Sequence, residues 1–217
     1  MNTLFTLHAA TVSGMQNNNH YPNRHTLTDA SELAAVVRLD HVAATYLGDR
    51  RSSANFQSSN CVVMDIDNDH TDIDVDWITP DGLAEIMAGV AFMTATSRNH
   101  QRAKGSQSAR PRFHVYFPIT TVADAQAYAG LKRRLAARFN FFDTNALDAG
   151  RFIYGTPNPQ VTIHDADQLL DAWLDAADEQ DIFAAFDAST LVIGQGSRNA
   201  TLSRFAGRVL IRYGECE

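Results

Sequence analysis

The sequence predicts a protein of mixed helix and strand, on three observations. Short runs of β-formers, Cys61–Ile66, Val90–Thr96 and Arg112–Ile119, have strand length and end in polar residues. Two stretches, Thr28–Leu47 and Val122–Phe139, instead space their apolar residues as amphipathic helices do. The chain has 217 residues, 45% of them hydrophobic, so one large domain or two small ones can enclose a core. No apolar run approaches the roughly 20 residues that a membrane helix needs. The opening fourteen residues carry no basic residue before an apolar stretch that His8 interrupts, which is unlike a secretory signal. A cytoplasmic protein with no membrane partner is expected. Cys61 and Cys216 are the only cysteines, which excludes a disulfide framework and a four-cysteine zinc site, though one zinc with mostly His ligands stays open.

Taken in order, Met15 to Arg24 is polar and Asn-rich and reads as a loop, and Thr28-Asp29 opens the first helix, with Leu33, Val36, Val37 and Leu39 as its apolar face. A loop from Ser52 to Asn60 leads to the apolar run Cys61–Ile66, which has the look of a buried strand that delivers acids at its end. After an acidic loop, Thr79-Pro80-Asp81 caps a helix to about Ala88, with proline at the first helical position. Residues 97 to 110 read as a basic loop. Pro118 is expected to close the strand that starts at Arg112, and a further strand is expected near Arg151–Tyr154, before Gly155-Thr156-Pro157. Asp165 to Asp187 reads as an acidic helix or helix pair with a solvated face, packed through Trp173 and Leu174. Gly194–Ser197 is a linker signal and Asn199–Tyr213 starts another amphipathic helix, so residues 1–190 are expected to form one domain and 191–217 the start of another in a longer protein.

The net charge of −7 is unevenly placed. Eight acids between Asp165 and Asp187, with no Lys or Arg among them, leave the rest of the chain at +1. Two segments are locally basic: Arg98, Arg102, Lys104, Arg110 and Arg112, then Lys132, Arg133, Arg134 and Arg138. A basic groove for nucleic acid is compatible with the total.

Asp65 and Asp67 stand two apart at a strand end, so both carboxylates are expected on one face with Ile66 in the core. Paired carboxylates can hold hard cations such as Mg²⁺ or Mn²⁺. A strand-end pair of acids also serves simply to cap a loop. A calcium loop is a third reading, but His70 stands where its glycine belongs and Asp76 where its bidentate glutamate does. Without a metal, such exposed acids are expected to repel one another, so that losing one is tolerated. Farther on, Arg112 and His114 alternate with Phe113, Val115 and Phe117, which puts a guanidinium and an imidazole on one strand face, suited to phosphate. Phe142-Asp143 supplies a third carboxylate just before the expected last strand.

These pieces, Val62-Val63-Met64-Asp65-Ile66-Asp67, Arg112-Phe113-His114 and Phe141-Phe142-Asp143, resemble in type and order the motifs of the archaeo-eukaryotic primase superfamily, in particular the primase-polymerase domains of phage and plasmid replication proteins. The resemblance runs from about Asn55 to Pro159. It implies an α+β fold, with an RRM-like antiparallel catalytic sheet, a smaller N-terminal α/β unit and C-terminal helices. It assigns two divalent ions, Mg²⁺ or Mn²⁺, to Asp65, Asp67 and Asp143, and the triphosphate to His114, supported by Arg112 and Arg151. Ser97, Arg102 and Lys104 would lie in the basic loop beside the incoming nucleotide. Implied partners are a single-stranded DNA template, a primer and nucleoside triphosphates, in the cytoplasm of a bacterial host. Residues 196–214 resemble the start of a helical primase module that often precedes a helicase. The motif departs from the family in having Arg112 where a small residue is usual, and the chain lacks the cysteines of a zinc stem. Two other functions fit parts of the pattern: a glycosyltransferase with paired acids on Mn²⁺, which does not require the His114 or Asp143 motifs, and a non-catalytic DNA-binding domain whose acids cap loops.

Overall fold

The computed structural model describes residues 5–145 and 147–186. Met1–Asp175 pack as one compact unit, and Ala176–Glu217 form a second. The expected boundary at residue 190, the Gly194–Ser197 linker and the helix from Asn199 lie outside the described residues.

A three-stranded sheet opens the fold. Strand β1 (Phe5–Ala9) lies between β2 (Asn23–Leu27) and β3 (His41–Val42), antiparallel to both. All of β1 is buried, yet His8 breaks its apolar run and β2 is mostly polar, so neither strand is legible from pattern alone. Helix α1 (Ala30–Val36) starts where Thr28-Asp29 indicates: the Asp29 carboxylate accepts from the amides of Ser31 and Glu32, while Glu32 accepts from the amide of Thr28. It ends at Val36 rather than near Leu47. The reason is tertiary. Buried Asp40 accepts from the amides of Gly14, Met15 and Gly155 at 2.8–2.9 Å, and His41 exchanges backbone bonds with Ile153, so the chain must leave the helix to meet them.

The main sheet takes β4 (Thr45–Tyr46), β5 (Phe56–Ile66), β6 (Phe92–Thr96), β9 (Phe113–Val122) and β10 (Val161–His164), in the order β10-β6-β9-β5-β4, all neighbours antiparallel. Between β6 and β9, strands β7 (Arg102–Lys104) and β8 (Gln107–Arg110) form a hairpin of their own where a loop was expected, turning at Gly105 with φ +62°. Helix α2 (Pro80–Ile86) is capped by Thr79, and α3 (Ala125–Arg138) by Asp124. Helix α4 (Leu170–Phe186) follows β10. None of the described helices is long and apolar enough to cross a membrane.

Strands β5 and β6 run parallel with β9 between them, and α2 lies between them in the chain, a split β-α-β unit. β10 pairs with β6. In an RRM-type order the last strand would instead lie beside the first, a place held here by β4. β9 runs through Pro118 to Val122. The proline is tolerated because β6 pairs no further than Tyr116 and the β5 register shifts between Ser59 and Cys61, so the absent N–H falls where the ladder is already interrupted. No strand forms at 151–154; that segment makes a single bridge, Ile153 to His41.

Alternation along β5 and β9 divides the core in two. Val62, Met64 and Ile66, with Phe113, Val115 and Phe117, pack with Leu83 of α2, Tyr128, Leu131 and Leu135 of α3, and Leu170 and Leu174. Cys61, Val63 and Tyr116 pack on the other face, with Phe5, Leu7 and Leu33. The N-terminal sheet therefore shares a core with the main one. Truncating a fully buried side chain such as Phe117 to Ala would cost about 3–5 kcal/mol. In the second basic segment Lys132 is buried, Arg134 pairs with Asp175 at 2.9 Å, the Arg138 guanidinium lies 5.6 Å from the Trp173 ring centre, and Arg133 is exposed.

Candidate active site

The end of β5 and the start of β9 set the geometry. Asp65 and His114 are direct cross-strand partners, and Ala95 of β6 is the next residue in that row. Facing the same side, the His114 Nδ1 lies 2.5 Å from one Asp65 carboxylate oxygen, and an Arg151 guanidinium nitrogen lies 2.7 Å from the other. An ionised carboxylate only accepts, so Nδ1–H donates and Nε2 is the imidazole atom left for a ligand. Burial alone would push the Asp65 carboxyl up. The His114 ring and the Arg151 guanidinium overcome that and hold it well below the usual carboxylate range. The expectation of an exposed, self-repelling acid cluster is thus corrected for Asp65: its side chain is only 14% exposed and carries two partners.

Asp67 lies just past the end of β5, and its carboxylate accepts from Lys104 Nζ at 2.9 Å. The chain then turns at Asn68, a fully buried residue with φ +56°. Asn68 donates to the carbonyls of Ile78 and Pro111 and accepts from the amide of Ile78, so it ties the β5 end to the approach to β9. Its signal in the sequence is slight: Asn tolerates the left-handed region, but nothing marks it as buried. The backbone amide of Asp143 donates to the carbonyl of Asp65 at 2.9 Å, which brings the third acid beside the first. The Asp143 carboxylate accepts from the amide and side chain of Asn145, at 2.8 and 2.7 Å.

Arg151 arrives on a tightly held segment. Tyr46 donates to the carbonyl of Ala149, Arg51 to that of Gly150, and Thr156 to that of Val37. At Gly155 the chain passes so close to Arg38 that an added Cβ would sit 2.3 Å from the Arg38 carbonyl oxygen. Beneath the site, burial pulls the Lys132 ammonium down to about 8, against the opposing pull of Asp65 and Asp148.

Two expected ligands of the nucleotide stand elsewhere. Arg112 precedes β9, is fully buried, and donates to the carbonyls of Asn99 and Arg102 and to the Gln107 side chain, so it fastens the β7–β8 hairpin instead of facing a phosphate. Ser97 is buried as well; its amide donates to the Arg112 carbonyl and its hydroxyl accepts from the Asn99 amide. Arg102 is exposed on β7. The residues gathered at one end of the sheet are therefore Asp65, Asp67, Asp143, His114, Arg151 and Lys104.

The donor set suits a hard cation, being three carboxylates on adjoining backbone segments with Lys104 and Arg151 as counter-charges. Each acid is held by a donor of its own chain, and among the described residues no three His, Cys, Asp or Glu side chains converge on one point. A bound divalent ion would take over the neutralisation that Arg151 and Lys104 now provide.

No family model and no curated protein matches this chain. Among solved structures, the chain is similar to the AEP domain of the primase-polymerase of cyanophage S-2L, at 16% identity and a TM-score of 0.44, over 81% of this chain and 89% of that one.

Proposed function

We propose that the protein is a DNA-templated nucleotidyltransferase, a primase and polymerase that makes and extends primers in phage or plasmid replication. One observation carries the reading: three regions far apart in sequence meet at one strand end, where His114 and Arg151 hold the Asp65 carboxylate and the Asp143 amide donates to the Asp65 backbone carbonyl. Asp65, Asp67 and Asp143 would hold two divalent ions, Mg²⁺ or Mn²⁺, which when bound activate a primer hydroxyl and neutralise a triphosphate. The chain's own residues then position and compensate charge. Arg151, 40% exposed and already turned toward the site, can exchange the Asp65 carboxylate for a phosphate oxygen of like geometry. His114 can donate to a phosphate through Nε2 while Nδ1 keeps its bond to Asp65, provided that the ring carries both protons. Lys104 and Arg102 sit on the hairpin and supply positive charge to the triphosphate or the template. Fusion to a C-terminal helicase and a place in the cytoplasm of a bacterial host belong to the same proposal.

A non-catalytic DNA-binding domain has its own support, because every acid at the site is held by a donor of its own chain. One assay separates the two. Labelled ATP and dATP are offered on single-stranded templates with and without primer, in Mg²⁺ and in Mn²⁺. Nucleotide incorporation is expected, and binding of template without incorporation in either metal would leave the DNA-binding reading.

A further inference from the structure

Four side chains on and against the segment that carries Arg151 form a row. The Arg51 guanidinium lies 4.8 Å from the Phe152 ring centre, Phe152 meets Tyr154 edge to face at 4.7 Å, and the Arg98 guanidinium lies 3.8 Å from the Tyr154 ring centre. Between the two aromatics Ile153 lies in the core, while Phe152 and Tyr154 are half-buried, Phe152 with one side against the buried cluster of Tyr21, Val42 and Tyr46. In the chain, Phe152 directly follows Arg151, whose guanidinium is on Asp65. The backbone of this segment is fixed by the His41–Ile153 exchange and by the close passage at Gly155, so the rings are presented on a stiff support.

We propose that Phe152 and Tyr154, flanked by Arg51 and Arg98, are a stacking platform for a nucleobase. The proposal rests on reading the adjoining site as one for nucleotides. Every base has a π-face, and proteins that follow single strands pair aromatic rings with arginines in this way. An exposed guanidinium stacked on a ring is held more weakly than a base in the same place, so Arg98, exposed in the segment after β6, can give way or close over the base. Rings set aside for packing alone would lie in the core. Tyr154 belongs to none of the core clusters among the described residues.

The test measures affinity for three probes: a fluorescent thymidine oligonucleotide, an abasic oligonucleotide of the same length, and dTTP alone. Tyr154→Leu is expected to weaken binding of a base-bearing probe by roughly 5- to 100-fold, with Tyr154→Phe close to wild type and the abasic oligonucleotide unaffected. Loss confined to the thymidine oligonucleotide assigns the platform to the strand, and loss confined to dTTP assigns it to the incoming nucleotide. Equal loss on thymidine and abasic strands, or no loss on any base-bearing probe, overturns the proposal. A second measurement needs no variant: an oligonucleotide carrying 5-iodouracil, photo-crosslinked to wild type, should form an adduct on Phe152 or Tyr154, and adducts only at other residues would overturn it. None of these measurements requires incorporation. Base-dependent binding in a protein that adds no nucleotide would defeat the polymerase reading alone, while incorporation without base-dependent loss would defeat the platform alone.

Discussion

The backbone amide of Asp143 donates to the backbone carbonyl of Asp65, so two acids far apart in sequence share one strand end, where His114 and Arg151 take up both oxygens of the Asp65 carboxylate. The first prediction follows from this pairing. Asp65→Asn and Asp67→Asn should each abolish nucleotide incorporation, but only the first should also weaken the fold. Asp65 balances two neighbours in a mostly buried place, so neutralising it should cost about 1–3 kcal/mol. Asp67 has one half-exposed lysine partner, and its loss should cost under about 1 kcal/mol. Urea melts beside a primer-extension assay check both, and an active Asp65→Asn/Asp67→Asn double variant would sink the catalytic assignment.

Arg112 and Arg151 should behave oppositely. Arg112→Ala removes three bonds from a buried guanidinium and should lower stability by about 2 kcal/mol or more, with faster amide exchange across 98–112. Arg151→Ala removes one partly exposed pair, leaves Tm within a few degrees, and raises the KM for nucleotide. Similar stability losses in both would mean that Arg151 is chiefly a structural residue.

Gly155→Ala should act at a distance. The added methyl cannot fit against the Arg38 carbonyl without backbone movement, which should cost about 1–3 kcal/mol and draw Arg151 away from Asp65. Melting and extension assays should both register it. Normal activity at normal stability would show that the 149–156 segment has room to yield.

His41 supplies a pH dependence. Its Nδ1 lies 2.8 Å from the Leu39 carbonyl, so it donates there and Nε2 accepts from the Tyr116 hydroxyl, also at 2.8 Å. Burial lowers its pKa from 6.5 to about 4, against smaller opposing effects. The folded state keeps this ring neutral while the unfolded state takes up a proton, so the His41 contribution is full above pH 6.5 and is lost as pH falls toward about 4. The slope should be at most about 1.4 kcal/mol per pH unit. Denaturant melts from pH 7.5 to 4 on wild type and His41→Gln test this, and equal slopes in that window would remove His41 as the cause.

Much of the site is legible in the sequence, because strand alternation is a local property. Ile66 and Asp65 on opposite faces of the sheet, and Phe113 and Val115 opposite His114, follow from the two-residue period of β5 and β9, and the Thr79 cap of α2 follows from its own three residues. Arg112 obeys the alternation rule in sequence yet lies outside β9, since the carbonyls of Asn99 and of Arg102 on the β7–β8 hairpin take its guanidinium, and that hairpin has few β-formers to announce it. The early end of α1 depends on amides of Gly14, Met15 and Gly155 reaching Asp40, and the place of Asp143 depends on one bond to Asp65. Such contacts join residues that are remote along the chain. Periodicity records which face of an element is apolar, whereas the partner that a buried carboxylate, amide or guanidinium will find is settled only when the sheets and the 149–156 segment close on one another.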